Sequence, residues 1–195
     1  MTELTEVFQN LSLQSTSIEK PKTLVTYDSN KRPTFYFEND ITKPIRAGGV
    51  LIYKKYNGHL KFLLIKKLTY GDDLHEDIGG KTDTCDKDIY DTISREVSEE
   101  TNKVIDQEVI REQIKNGTPL YVPFSKYLIY LVEANEDQLK LKSDDFGDEE
   151  THDSIKRKIY WIKIQNFIHD RYNFNPRMNN QPIKKYITEF YDSNK

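Results

Sequence analysis

The chain has 195 residues, 36% of them hydrophobic and 31% charged, with a formal net charge of −3. That is the length of one domain with some extra chain. The charge balance argues against a basic nucleic-acid coat or a membrane-surface binder, and no apolar run approaches the roughly 18–20 residues of a membrane helix.

The first residues, "MTELTEVFQN", carry acids and show no apolar signal core. The single cysteine, Cys85, cannot close an internal disulfide, which fits a reducing compartment, the cytoplasm or the nucleus. Residues 1–43 are polar and are expected to form a flexible N-terminal extension. Within them "PTFYFEND", Pro33 to Asp40, is able to add an edge strand. The globular domain is expected over 44–195.

"IRAGGVLIYKKYNGHLKFLLIKK" reads as two buried strands, Val50 to Tyr53 and Phe62 to Ile65, joined by a tight turn at Asn57-Gly58, where both residues tolerate positive φ. "TYGDDLHEDIGG" reads as a loop, with His75 exposed in it. A helix is expected over Asp88 to Thr101 and a shorter one over Gln107 to Lys115, stopped by Asn116-Gly117. "LYVPFSKYLIYLVEA" is strand-rich, with Pro123 making its first part an edge or a bulge. Glu133 to Ser154 reads as a long polar loop, "RKIYWIKI" as a strand with Trp161 in the core. "QPIKKYITEFYD" reads as a closing helix, because Ile183, Tyr186, Ile187, Phe190 and Tyr191 recur at helical spacing after Pro182. Strands mixed with a few helices indicate an α/β or α+β sandwich.

The informative helix is Asp88 to Thr101. At about 100° per residue, Ile89, Ile93 and Val97 form an apolar stripe, and Glu96, Glu99 and Glu100 fall together along one flank of it. Crowding them is unfavourable. Like charges at i,i+3 and i,i+4 cost about 0.2–0.5 kcal/mol each, and acids in a last turn meet the negative end of the helix dipole. Arg95 alone does not offset three carboxylates, whereas a divalent cation does, since Mg²⁺ favours carboxylate oxygens. The competing reading is a solvated acidic face. Against it, the acids flank the apolar stripe rather than oppose it, and Gly79-Gly80 stands upstream, where paired glycines let backbone approach an ion or phosphate.

"GGKTDTCDKDIYDTISREVSEET" resembles the Nudix box, G-x5-E-x7-R-E-U-x-E-E-x-G-U with U aliphatic. Gly80 matches the opening glycine, and Arg95-Glu96-Val97-Ser98-Glu99-Glu100 match R-E-U-x-E-E throughout. Asp86 stands where the first Glu belongs, with eight residues rather than seven separating it from Arg95. Asp86 or Asp88 is placed to cap the helix. Asn102 replaces the late glycine, a mild change if that residue is left-handed, and Lys103 replaces an aliphatic residue. The strands before the box are similar to the opening hairpin of that family, and "YWIKIQNFI" to its late strand.

The resemblance implies a Nudix-like α/β/α sandwich with a mixed central sheet. It implies a hydrolase that uses Mg²⁺ or Mn²⁺ to cleave a nucleoside diphosphate linked to another moiety. Carried over, Glu96, Glu99 and Glu100 bind the metal with the Gly79 carbonyl, and Arg95 holds a glutamate in place. A helix glutamate or a later acid, Glu149 or Glu150, acts as general base. Arg46 and Lys81 are the candidate phosphate contacts. A nucleotide derivative, an RNA 5′ end such as a cap, and an inositol pyrophosphate all fit as substrates. Basic residues interleaved with aromatics over 153–187 would suit RNA, or are core aromatics between solvated charges. Cys85 has no motif-placed histidine beside it and is not read as a nucleophile. The alternative function is a catalytically impaired Nudix-like module that binds a nucleotide or RNA, which the altered Asp86 spacing favours.

Overall fold

The structure is a computed structural model and describes residues 24–27, 32–68 and 74–194. Most of the expected extension, residues 1–23 and 28–31, lies outside the described residues, as do residues 69–73 of the expected loop. Strands β1 (Val25–Tyr27), β2 (Pro33–Tyr36) and β3 (Pro44–Ile45) form a small antiparallel sheet. Pro33 to Tyr36 thus pairs at both sides. Phe35 is 1% exposed and belongs to the main core, so packing extends upstream of Pro44.

The chain then runs through β4 (Ala47–Tyr56) and β5 (His59–Lys67). Asn57 and Gly58 turn at φ 49° and 71°, the doubly left-handed geometry that matches the twist of a two-residue hairpin. Next come β6 (His75–Glu76), β7 (Ile78–Lys81), α1 (Ile89–Glu100), α2 (Gln107–Lys115), β8 (Thr118–Val122), β9 (Tyr127–Glu133), β10 (Arg157–Lys163), α3 (Ile164–Ile168) and α4 (Gln181–Ser193).

Strands β4 to β10 make one seven-stranded sheet with the path β10-β5-β4-β9-β8. The β4–β9 pair is parallel, while β4–β5, β5–β10 and β8–β9 are antiparallel. The sheet is therefore mixed, as expected. Alternation along the strands builds two cores. Val50, Ile52, Leu63 and Ile65 pack with Ile93 and Val97 of α1 and Ile110 and Ile114 of α2. Leu51, Phe62 and Leu64 pack with Phe167 of α3 and Ile183 and Ile187 of α4. A sheet buried on both faces between helix pairs is the α/β/α sandwich.

Other expectations are corrected. The segment read as a loop before the box contains β6 and β7, with β7 pairing the first half of β4 (Gly49 with Gly79) while β5 pairs its second half. His75 is buried rather than exposed: its Nε2 lies 2.7 Å from Tyr160 Oη, and the Tyr172 and Phe174 rings pack on it. The first part of the Pro123 stretch is an edge strand, as expected: β8 ends the sheet, and a 3₁₀ turn at Pro123–Ser125 with a left-handed Lys126 leads into β9. The polar loop after β9 sends Phe146 into the core, since a short 3₁₀ turn at Ser143–Phe146 folds it inward. Trp161 is half-buried at the margin of the core, its Nε1 donating to Leu141 O at 3.1 Å. No helix among the described residues is long and apolar enough to cross a membrane.

Candidate metal centre

Helix α1 begins where Asp88 accepts a hydrogen bond from the Asp91 N–H at 2.7 Å, satisfying one of the free donors of the first turn. Arg111 of α2 pairs with both Asp88 and Asp91 and fixes that end. With Asp88 as the cap, Asp86 is available for another task. Its side chain is 2% exposed and meets Arg95, Nε to Oδ1 at 3.0 Å and Nη2 to Oδ2 at 3.2 Å. The Asp83 N–H and Thr92 Oγ1 donate to it as well. The shorter acid and the additional residue of the box therefore still close the contact with arginine.

Arg95 is the centre of the cluster. Its Nη1 lies 3.0 Å from Glu96 Oε1 and 2.9 Å from Glu99 Oε2, and its Nη2 donates to the Lys81 carbonyl at 3.0 Å. A planar guanidinium offers five donors in fixed directions, so one side chain aligns three carboxylates and ties the helix to the end of β7. The remaining oxygens, Glu96 Oε2 and Glu99 Oε1, accept no hydrogen bond among the described residues.

Glu100 is buried. Its Oε2 accepts the Gly79 N–H at 2.8 Å and its Oε1 lies 3.4 Å from Lys67 Nζ. Burial pushes its carboxyl up to about 8, against the pull of Lys67 and the Gly79 N–H. Burial raises Glu96 as well, only partly countered by Arg95. Lys67 also reaches Glu76 at 3.0 Å. Glu76 then meets Arg177 at 3.1 Å, and Arg177 meets Asp77 at 2.8 Å. Tyr127 closes this chain by donating to Asp77 at 2.9 Å, under the Arg177 guanidinium.

Glu96, Glu99 and Glu100 offer the oxygen donors a hard divalent cation takes, but they are not among the residues whose ligand atoms the structure gathers within 4.8 Å of one another. Burial is the main cause of the raised Glu96 and Glu100 carboxyls, and Arg95 and Lys67 only partly counter it. A second acidic group adjoins these carboxylates. Glu150, His152 and Asp153 bring ligand atoms within 4.8 Å of one another, and His152 feels the charge of Glu99. Glu150 is buried and within the field of Lys67 and Arg157, whereas Glu149 is exposed and pairs with Lys156 as an isolated bridge. Arg46 and Lys81 stand at one end of the β4–β7 pair, where the Thr82 N–H donates to the Arg46 carbonyl and Ala47 pairs Lys81. Arg46 is half-buried and Lys81 exposed.

No family model matches the chain, and no curated protein does. Two similar solved structures are of a C. elegans Ap4A hydrolase. One, a binary complex, is 18% identical, covers 76% of this chain and 96% of that chain, and has a TM-score of 0.47. The other is 21% identical, covers 64% and 84%, and has a TM-score of 0.39.

Gly80 is required by close approach rather than by its backbone angle. A Cβ there would stand 2.1 Å from Glu96 Oε2. Because the obstacle is the end of a flexible side chain, Gly80→Ala is expected to fold, with Glu96 turned away from its neighbours. Metal-dependent turnover should fall at least about tenfold, a loss of some 1.4 kcal/mol in transition-state stabilisation, with an unchanged melting temperature. Activity at the wild-type level would remove Glu96 from the site.

Lys67, Glu76, Asp77, Tyr127 and Arg177 were not singled out from the sequence. They lie on β5, on β6 and the residue after it, on β9 and on the segment before α4, and no local spacing joins them. One signal was available: the run "HED" directly before Ile78-Gly79 puts two acids next to the glycines. Cys85 is exposed, and burial together with Asp86 raises its thiol, the reverse of what a nucleophile needs.

Proposed function

We propose that the chain is a divalent-metal-dependent hydrolase of the Nudix type, cleaving the diphosphate linkage of a nucleoside diphosphate joined to another moiety. The observation that carries this reading is the Arg95 fan, in which one guanidinium meets Asp86, Glu96 and Glu99 while Glu100 sits buried on the Gly79 N–H. Glu96, Glu99 and Glu100, with the Gly79 carbonyl, would hold Mg²⁺ or Mn²⁺. A bound ion there neutralises developing charge on the diphosphate and acidifies a water.

The protein's own groups do the rest. Arg95 fixes the rotamers of Glu96 and Glu99. Lys67 bridges Glu100 and Glu76 and offsets the repulsion between them. The base is a helix glutamate or a later acid, and of the two later acids Glu150 is buried and within the field of Lys67 while Glu149 is exposed. Arg46 and Lys81 supply cations for the phosphates.

The binding-module reading drew on the altered spacing of Asp86, and its support weakens because Asp86 reaches Arg95 regardless. The RNA reading drew on aromatics between basic residues. Phe167 and Phe174 are core, Arg157 is buried, and Arg177 is held by Glu76 and Asp77, so a small nucleotide derivative is the better fit.

The test is release of phosphate or nucleoside monophosphate by the purified protein with Mg²⁺, with Mn²⁺ and with chelator. The panel holds nucleotide-sugars, dinucleoside polyphosphates, nucleoside triphosphates, a diphosphoinositol and a capped RNA. Metal-dependent cleavage of a nucleoside diphosphate derivative is the expected result. A folded, metal-binding protein that cleaves none of them would overturn the hydrolase.

A further inference from the structure

The geometry points to a positioning residue outside the acidic cluster. We propose that Asn102 clamps the Phe146–Thr151 turn to the C-terminal end of α1 and thereby sets where the Glu150 carboxylate stands; the consequence for turnover rests on the hydrolase reading above.

Asn102 lies two residues beyond the last residue of α1, with φ 53°. Its backbone ends the helix, the N–H donating to Glu99 O at 3.0 Å and the next N–H, of Lys103, to Ser98 O at 2.7 Å. Glycine would serve for that much and with less strain. The side chain does something glycine does not. Its Nδ2 donates to the carbonyls of Phe146 and Glu149, both at 2.9 Å. Its Oδ1 accepts from the N–H of Thr151 at 2.9 Å and from Thr151 Oγ1 at 3.0 Å. An amide side chain has two N–H donors and two carbonyl lone pairs, so every bond it is able to make goes to one turn, more than 40 residues away in the chain.

The position of these bonds matters. Glu149 O and Thr151 N flank Glu150 on both sides. The Glu150 N–H is itself bonded to Ile155 O at 2.8 Å, and Arg157 reaches the Phe146 carbonyl from β10. The backbone of Glu150 is thus held from α1 and from the sheet at once. The residue as a whole is buried, but its carboxylate is not among the buried polar atoms left without a partner and keeps access to water. It is left facing the charges of Lys67, Arg157, His152 and Asp153. An acid whose main chain is fixed on both sides, and whose side chain takes no hydrogen bond from the described residues, has the origin of its side chain set by the clamp.

Asn102→Gly keeps the left-handed backbone and deletes the clamp. Asn102→Asp keeps the acceptor for Thr151 and deletes the two donations. The first readout is amide hydrogen exchange at Thr151, which needs no turnover. About tenfold faster exchange is expected in Asn102→Gly, with a smaller increase in Asn102→Asp, at the scale of one or two net hydrogen bonds. The second is a double-mutant cycle in kcat. Asn102→Gly is expected to lower kcat about tenfold or more with KM little changed. In the Glu150→Gln background it should cost almost nothing further, because residues acting through one another are not additive. Unchanged exchange at Thr151 would overturn the clamp, and additive kcat losses would overturn its action through Glu150. If the wild-type protein turns over none of the panel, the hydrolase reading falls by that result, while the exchange measurement still decides the clamp.

Discussion

Glu100→Gln is expected to lower turnover roughly a thousandfold, about 4 kcal/mol of transition-state stabilisation, and to make the metal-free protein more stable at pH 8. The two effects have one cause. Burial takes the Glu100 carboxyl from its ordinary 4.5 up to about 8. Across that window the folded chain retains a proton that the unfolded chain has released, so stability is full below about 4.5 and declines as pH rises towards 8. The whole interval is worth at most about 5 kcal/mol. Glutamine still accepts the Gly79 N–H but never ionises, so it removes the decline. Lys67 retains Glu76 as partner. Thermal melts in chelator at pH 6 and pH 8 measure the sign. Wild type should lose several degrees between them and the variant far less. Added Mg²⁺ should restore wild type more at pH 8 than at pH 6, since a ligating carboxylate must be deprotonated. A variant less stable than wild type at pH 8 would mean that Glu100 is ionised and stabilised by Lys67, and the metal would then not be needed to offset its charge.

Arg95→Met is the second large effect, and here stability and activity fall together. The substitution keeps an aliphatic stem but leaves the buried Asp86 carboxylate without its cation. Breaking a buried pair from one side costs about 3–5 kcal/mol. The Asp83 N–H and Thr92 Oγ1 remain as donors, so about 3 kcal/mol is expected. Urea unfolding of Arg95→Met, Asp86→Asn and the double variant separates the terms. The double variant should be more stable than Arg95→Met alone, because the most deeply buried of the unpaired charges is gone and only the more exposed Glu96 and Glu99 lack the arginine. Turnover stays lost in both, since Glu96 and Glu99 have no common donor. A loss below about 1 kcal/mol, the range of surface pairs, would show that Asp86 is hydrated and not part of the cluster's frame.

Helix α1 and the β4–β5 hairpin were legible because their signals are local. Ile89, Ile93 and Val97 repeat at the helical period, and Asn57-Gly58 names its own turn. The crowding of Glu96, Glu99 and Glu100 was legible for the same reason, as was the left-handed role of Asn102. What the sequence hid is whatever joins distant segments. Asp86 looked like a weakened acid, and only packing shows its carboxylate reaching Arg95 while Asp88 takes the cap. Lys67, Glu76 and Arg177 are ordinary charges in their own neighbourhoods and become partners when β5, β6 and the segment before α4 converge. Phe146 sits among acids, so its polar surroundings masked a core residue. His75 was misplaced because two-residue strands such as β6 carry no periodicity to read.

The small N-terminal sheet bears on where this protein ends as a physical object. Thr82, two residues past Gly80, gives its hydroxyl hydrogen bond to the Pro33 carbonyl, and Arg32 donates to the Thr82 carbonyl. Phe35 fills a place in the core beside Ile45. A truncation at Pro44 would therefore open a ring-sized void and strip two bonds from the segment that leads out of the glycines, loosening the cluster from behind. A cut ahead of Val25 would keep these bonds, Phe35 and the β1–β2 pair, and anything fused just ahead of Arg32 would stand next to the segment that leads out of the glycines.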